Sequence, residues 1–192
     1  MIKLKYKLGT WLTVMCLIGL SCSTIVEPTV TPTPPQTDTP EPPAITNFDE
    51  CMQAGNPVME SYPRQCRSED GETFTEDIGN ALELMDFIRL DKPYANQVIF
   101  SPLIIEGKAR GTWYFEADFP IRLYDANDVE IAVGFGTAQG EWMTEEFVYF
   151  TAELEFDPPS TATGTLVLER DNPADLPDQA QELIVPVRFE QP

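Results

Sequence analysis

The sequence predicts an all-β fold, an antiparallel β-sandwich, for residues 78–192. From Gln97 onward, apolar and polar residues alternate along several short segments that are separated by turn-forming residues. The clearest segment runs from Phe147 to Phe156, where one face carries apolar side chains and the other carries Thr and Glu. Such a segment is typical of a strand with one buried and one solvated face.

The other predicted strands follow from the same period of two. The stretch Ser101–Asp125 indicates a strand, a glycine-containing crossover and a second strand. The polar run Asp125–Asp128 then predicts a turn, so that the second strand forms a hairpin with Ile131–Phe135. Two later segments complete the predicted sandwich: Thr165–Glu169 and Leu183–Phe189.

The segment Asp77–Arg89 allows two interpretations. Ile78, Leu82 and Met85 have nearly helical spacing and indicate a short helix. Its last residues, with Leu90, equally indicate a strand that ends at Lys92-Pro93. The sandwich is expected to begin in this segment.

Residues 1–21 have the pattern of a secretory signal peptide, with three lysines, an apolar run and small residues before Cys22. The apolar run is shorter than the roughly 20 residues of a membrane-spanning helix. The string GLSC resembles a bacterial lipobox, so we expect Cys22 to carry a lipid anchor that holds the protein outward on the cell membrane. Ordinary secretion is the alternative.

Residues 22–46 are predicted to be a disordered tether. Seven of the 18 prolines lie in this segment, which also contains many threonines and few apolar residues.

Residues 47–77 are predicted to form a small module closed by a disulfide. Cys51 and Cys66 are the cysteines left in the exported body once Cys22 is set aside. Exported chains meet an oxidising compartment, so pairing of these two cysteines is the expectation.

The composition argues against several functional classes. The chain has 32 Asp and Glu against 12 Lys and Arg, for a net charge of −20, and it has no histidine. Such a surface repels nucleic acid. The absence of histidine removes the commonest general base and metal ligand. We therefore expect no cofactor and no catalysis; a carboxylate-dependent hydrolase is the least favoured reading.

Two groups of residues are candidate sites. Arg110, Trp113, Tyr114 and Trp142 form a possible patch for a glycan or peptide, because consecutive aromatic residues in a strand point to opposite faces. The alternative is that Trp113 and Phe115 pack in the core and Tyr114 lies over a sheet face.

The second group is acidic and lies in one turn: Asp125, Asn127, Asp128 and Glu130. The clustered oxygens suggest calcium. The spacing departs from a calcium-binding loop, since Glu130 stands where that loop needs glycine. We therefore expect no metal site.

Several strings in order, among them ARGTWYFEA, GEWMT and DNPADLP, resemble the Gmad2 domain. This is an immunoglobulin-like domain named from bacterial spore germination proteins, and the resemblance covers roughly Ile88 to Glu190. It implies an immunoglobulin-like sandwich that is exported, non-catalytic and often carried by lipoproteins. We expect a binding or assembly module of the bacterial envelope, with an envelope protein or glycan as partner. The alternative is a purely structural spacer.

Overall fold

The computed structural model describes residues 44–174, 176–177 and 179–190, which belong to one compact unit. The predicted signal peptide, Cys22 and the tether up to residue 43 lie outside the described residues. Within the described ranges, no helix is long and apolar enough to cross a membrane.

Almost all regular structure is β. The helices are α1 (Phe48–Gln53) and α2 (Ala81–Leu84); the strands are β1 (Val58–Met59), β2 (Gln65–Arg67), β3 (Thr73–Thr75), β4 (Ile88–Lys92), β5 (Val98–Ile99), β6 (Leu103–Arg110), β7 (Asp118–Asp125), β8 (Glu130–Ala138), β9 (Phe147–Leu154), β10 (Thr163–Glu169) and β11 (Glu182–Phe189).

The N-terminal module packs α1 on the small antiparallel sheet β1-β2-β3. Helix α1 begins at Asn47, whose side chain accepts a hydrogen bond from Glu50 N at 2.9 Å. The disulfide between Cys51 and Cys66 is present, which confirms the predicted pairing. Both cysteines are fully buried with Phe48, and Ile45 packs against the same cluster. Ile45 lies in the segment that the sequence assigned to the tether, so the contacts of this cluster extend beyond residues 47–77.

The segment 77–92 contains both of the structures that the sequence allowed. One helical turn, α2, is followed directly by β4. Gly79 ends the preceding extended segment with φ +67°, and a Cβ there would lie 1.9 Å from Ile184 O. Only glycine fits this approach of the chain to β11.

The sandwich is a single curled sheet with strand order β4-β6-β9-β8-β7-β10-β11-β5. Strand β8 pairs with β7 along most of its length and with β9 only at Thr137 and Ala138, so it joins the two halves. All pairs are antiparallel except β5 with β11. The predicted all-β class is confirmed, and the parallel pair at one edge of the sheet was not predicted.

One core fills the space between the two halves. The Phe119 ring of β7 meets the Phe150 ring of β9 edge-to-face, with centroids 4.9 Å apart. Every second residue of β9 from Val148 to Leu154 is buried, as the alternation predicts. Burying a large apolar side chain stabilises the fold by about 1.5–3 kcal/mol. These alternating faces are the main reason why the sheet closes on itself.

Polar contacts join β11 both to the α2 segment and to the N-terminal module. Asn80 Nδ2 donates to Glu182 O, and Asn80 Oδ1 accepts from Ile184 N, both at 2.8 Å. The side chain thus pairs with β11 as a short strand would. A hydrogen-bonded ion pair between Arg188 and Asp49 adds a second connection.

Candidate functional site

The structure does not form the aromatic patch predicted from Trp113 and Tyr114. Trp113 is 1% exposed and Tyr114 is 4% exposed, so neither side chain is available to a ligand. Phe115 is half-exposed, which also reverses the alternative assignment of Tyr114 and Phe115. The reason is local: Gly111–Trp113 is a 3-10 turn rather than a strand, so successive side chains do not alternate between faces.

This turn is held tightly by its surroundings. A Cβ on Gly111 would lie 1.9 Å from Thr144 O and 2.2 Å from Trp142 O, so the loop after β8 presses on the backbone. The Tyr114 hydroxyl donates to Val148 O at 2.8 Å, and burial raises the pKa of this hydroxyl well above its ordinary value. Trp142 is half-buried and packs against the core. The aromatic residues of the predicted patch therefore complete the fold.

The acidic turn is also occupied by internal contacts. Asp125 Oδ1 accepts from Asn127 N at 2.8 Å and from Val129 N at 3.0 Å. The hydrogen bond from Val129, helped by those from Asn127, lowers the pKa of the Asp125 carboxyl. Glu130 pairs with Arg122 at 2.6 Å. No group of three or more His, Cys, Asp or Glu residues in the described chain is placed to hold a metal ion.

Arg110, the remaining residue of the predicted patch, lies on a different surface. The outward-facing side chains of β4, β6 and β9 bring together three cations and two aromatic rings. Arg89 is directly opposite Lys108, and Lys108 is directly opposite Tyr149, so these residues form one row across the strands. Arg110 and Phe147 form the adjacent row. We call this surface the basic–aromatic face: Arg89, Lys108, Arg110, Phe147 and Tyr149.

The cations of this face stack on its rings. The Cζ atoms of Arg110 and Arg89 lie 4.3 Å and 4.6 Å from the centroid of the Phe147 ring, so the two guanidinium groups share one ring. Lys108 Nζ lies 6.0 Å from the centroid of the Tyr149 ring. Arginine stacks well on aromatic faces because its charge is spread over a plane. The aromatic residues thus support the cations without neutralising them.

Backbone carbonyls hold the arginine side chains in place. Arg110 Nε donates to Asp86 O, and Arg110 Nη1 donates to Glu145 O, both at 3.0 Å. Arg89 Nε donates to Met85 O at 2.6 Å. These contacts orient both guanidinium groups, which is the kind of preorganisation that lowers the cost of binding.

The pairing of these cations differs from that of four other basic residues, while Arg67 and Arg170 likewise have no carboxylate within 4 Å among the described residues. Arg64, Lys92, Arg122 and Arg188 each contact a carboxylate at hydrogen-bonding distance. On the basic–aromatic face, the described residues provide one carboxylate within 4 Å, Glu146, which lies 3.9 Å from Arg110 and is 86% exposed. The face is therefore a local concentration of positive charge on an acidic chain.

An apolar groove of about 420 Å³ adjoins this face along β4. Strand β4 ends the sheet, so no described strand pairs with its outer edge. We call this space the β4 groove. Its lining comes from β4, from α2 and its neighbours, from the Pro93–Ala95 segment, from β11 and from Tyr62 of the module. The lining residues are Tyr62, Ile78, Ala81, Leu82, Met85, Ile88, Arg89, Leu90, Pro93, Tyr94, Ala95, Leu183 and Val185. Arg89 belongs to both the groove and the basic–aromatic face.

A larger and more open concavity of about 950 Å³ lies elsewhere, beside Phe100, Phe156 and Phe189. Its lining is apolar apart from two serines and Glu190, and it contains no basic side chain.

Sequence reasoning identified Arg110 but missed Arg89, Lys108, Phe147 and Tyr149. A signal for part of the face was present, because Lys108 and Arg110 are two apart in one strand, as are Phe147 and Tyr149 in another. The pairing of β4 with β6, and of β6 with β9, joins residues far apart in sequence and was not readable from these patterns.

A family model described as Gmad2, the immunoglobulin-like domain of bacterial spore germination, matches residues 87–176. The match spans β4 to β10 and the loop that follows, and therefore includes every residue of the basic–aromatic face. No curated protein and no solved structure matches the chain.

Proposed function

Because residues 87–176 form a Gmad2 immunoglobulin-like domain, we propose that this protein is a non-catalytic binding or assembly module and that its basic–aromatic face contacts an anionic partner. The observation that carries the proposal is the direct opposition of Arg89 and Lys108 in the sheet. Like charges at opposed positions destabilise a sheet. Although the chain has 32 acidic residues, neither position 89 nor position 108 carries a carboxylate.

The rest of the face supports the same reading. Arg89 and Arg110 both stack on the Phe147 ring, and backbone carbonyls orient their guanidinium groups. These contacts, and not a paired carboxylate, set the direction of the remaining N–H groups. An anion that reaches this surface meets three positive charges at once. Charge-assisted hydrogen bonds of this kind are roughly twice as strong as neutral ones.

The net charge of −20 limits how such binding occurs. At long range an anionic partner is repelled, and salt screens this repulsion more than it screens the short contacts on the face. Moderate salt is therefore expected to speed association. This distinguishes a local basic site from a chain that is basic throughout.

We extend the proposal to the location of the protein. Residues 1–21 have the pattern of an export signal, and the disulfide Cys51–Cys66 is suited to an oxidising compartment. We propose that the chain is exported and is held on the outer side of the cell membrane through a lipid on Cys22, within the bacterial envelope. Mass spectrometry of the N-terminal peptide tests this: a diacylglycerol adduct on Cys22 supports the anchor, and an unmodified secreted chain refutes it.

The binding proposal is tested with polyglutamate as a defined anionic probe. Binding of the full chain is measured by calorimetry, and Lys108→Glu is compared with Arg67→Glu. Both substitutions change the net charge equally, but Arg67 is an exposed residue of the N-terminal module, away from the face.

We expect Lys108→Glu to weaken binding at least about tenfold. Arg67→Glu should change it less than about twofold, because distant exposed charges are screened. Equal effects of the two substitutions would mean that only net charge is sensed. A complete lack of saturable binding by the wild type would favour the structural spacer.

A further inference from the structure

From the lining of the β4 groove, we propose that this protein binds a free single-chain amphiphile, with the alkyl chain in the groove and the anionic head group on Arg89. The inference goes beyond the proposed function, because it concerns a small apolar ligand in a separate space. The two sites share only Arg89.

The groove lies where the two ends of the curled sheet approach each other. Strand β4 ends the sheet on one side, β11 is next to the last strand on the other, and both contribute to the floor of the groove. The floor residues Ile88, Leu183 and Val185 belong to the core and are at most 3% exposed. A ligand in the groove therefore contacts the apolar interior between the two halves of the sandwich.

The wall of the groove is apolar and partly exposed. Leu82 and Met85, in and just after α2, are each 46% exposed. Apart from Arg89 and two tyrosine hydroxyl groups, the lining side chains carry no nitrogen or oxygen atom. A polar ligand would lose its water here without gaining partners, whereas an alkyl chain buries apolar area on the wall and on the floor.

The charge of the lining selects the head group of the ligand. Among the lining residues, Arg89 carries the only charge, and its Nε donates to Met85 O at 2.6 Å, so the guanidinium is held against the wall. No described carboxylate lies within 4 Å of this guanidinium. An anionic head group supplies the missing counter-charge through charge-assisted hydrogen bonds. The larger concavity beside Phe100 has Glu190 and no basic side chain in its lining, so it repels such a head group.

The size of the groove and the net charge of the chain favour a free molecule over a membrane lipid. The groove has a volume of about 420 Å³, near the lower end of the range for small-molecule sites, about 300–1,000 Å³. A space of this size suits one alkyl chain. The net charge of −20 repels an anionic bilayer far more strongly than a molecule with a single charge.

The test uses the full chain and decanoate, kept below the concentration at which it forms micelles. Calorimetry should show saturable binding. From hexanoate to decanoate the affinity should rise about fourfold for each added methylene, which corresponds to about 0.8 kcal/mol per buried methylene. The alcohol 1-decanol has the same chain without the charge and should bind at least about tenfold more weakly. Equal affinities across the series, or for the acid and the alcohol, would overturn the proposal.

Methyl resonances of the methionines locate the ligand. The Met85 methyl group lines the groove, so its resonance should shift on addition of decanoate. The resonance of Met52, in α1 of the N-terminal module, should stay in place. Saturable binding without a shift at Met85 would put the ligand elsewhere and refute the groove as its site.

Three protein variants separate the contribution of the head group from that of the chain. Arg89→Gln should weaken decanoate at least about tenfold and 1-decanol less than about twofold, because only decanoate has a charge to lose. Leu82→Asn keeps the size and charge of the side chain but makes the wall polar, and it should weaken both probes at least about fivefold. Ile104→Asn is the matched control, since Ile104 on β6 is 45% exposed and lies outside the groove; it should change neither affinity by more than about twofold. Melting curves check that all three variants remain folded.

The outcomes distinguish this inference from the proposed function. Leu82→Asn should leave polyglutamate binding unchanged, because Leu82 is not part of the basic–aromatic face. Binding of polyglutamate that depends on Lys108, without binding of decanoate, would overturn this inference and leave the proposed function standing. Binding of decanoate at Met85 without binding of polyglutamate would do the reverse. Sedimentation with phosphatidylcholine vesicles, without binding of free decanoate, would identify a membrane as the occupant and also overturn the inference.

Discussion

Arg89 on β4 and Lys108 on β6 occupy directly opposed positions in the sheet, with both side chains on the outer face. Opposed like charges cost stability, and this pair has no carboxylate between its members. Destabilising arrangements of side chains are commonly found at functional surfaces. The pair therefore links the stability of the sandwich to its proposed binding role.

Reversing one member of this pair should stabilise the protein. Lys108→Glu converts the opposition into an attraction, and we expect the free energy of unfolding to rise by about 0.2–1 kcal/mol. Lys92→Glu is the matched control: it breaks the exposed pair with Glu106 and should lower stability by no more than about 1 kcal/mol. Urea denaturation measures both. A destabilised Lys108→Glu protein would contradict the geometry of the pair.

The aromatic turn should behave as core. Trp113→Ala removes a fully buried indole, and we expect a loss of about 3–5 kcal/mol in the free energy of unfolding. Met143→Ala, at a residue 74% exposed in the neighbouring loop, should change it by less than about 0.5 kcal/mol. Similar small effects for both would place Trp113 on the surface after all.

The buried tyrosine hydroxyl makes a separate contribution. Tyr114→Phe keeps the ring contact with Phe119, whose centroid is 5.3 Å away, but removes the donor to Val148 O. We expect a loss of about 1 kcal/mol, typical of a buried hydrogen bond. Thermal and chemical denaturation measure the loss, and an unchanged midpoint would argue against this hydrogen bond.

The pair Arg64–Glu76 predicts a pH dependence of stability. The hydrogen bonds from Arg64 lower the pKa of the Glu76 carboxyl below its ordinary value of 4.5. A lowered pKa in the folded state contributes stability that is fully present above the ordinary value. That stability is lost as the pH falls through the lowered value.

Glu76→Gln isolates this contribution. The difference in unfolding free energy between the wild type and Glu76→Gln should be constant above about pH 6 and should shrink as the pH falls below 4.5. Arg64→Gln should reduce the same pH dependence, since it removes the cause of the shift. A difference that grows on acidification would have the wrong sign and would refute the assignment.

The disulfide should stabilise the module without affecting the face. Cys51 and Cys66 are 15 residues apart, and closing a loop of this length contributes about 3 kcal/mol in the chain-entropy model. We expect the double variant Cys51→Ser, Cys66→Ser to lose order in α1 and β1–β3 by hydrogen exchange. Polyglutamate binding should persist, because the face lies on β4, β6 and β9. Loss of binding would show that the module supports the face.

Calcium should leave the melting temperature unchanged. The Asp125 carboxylate already accepts hydrogen bonds from Asn127 and Val129, and Glu130 is paired with Arg122. Asp125→Ala should lower the melting temperature with or without calcium, since it removes bonds that shape the turn. A calcium-dependent increase for the wild type, absent in Asp125→Ala, would reinstate the metal site.

The sequence by itself determined the fold class and most strands. Alternation in 147–156 predicted the buried face of β9 because a strand in a half-solvated sheet has a side-chain period of two. The turn residues Asp125–Asp128 predicted the β7–β8 hairpin, and two cysteines in an export context predicted their own pairing. The strand and turn predictions depend on residues that are neighbours in the sequence, and the disulfide prediction depends on a single pair of cysteines.

Tertiary structure decided the site. Whether Trp113, Tyr114 and Phe115 face inward depends on the 3-10 turn and on the loop that presses on Gly111, which local alternation cannot express. The basic–aromatic face exists only because β6 lies between β4 and β9, so that Arg89, Lys108 and Tyr149 fall in one row. Strand register joins residues that are distant in sequence, and that register is set by the packing of the whole core.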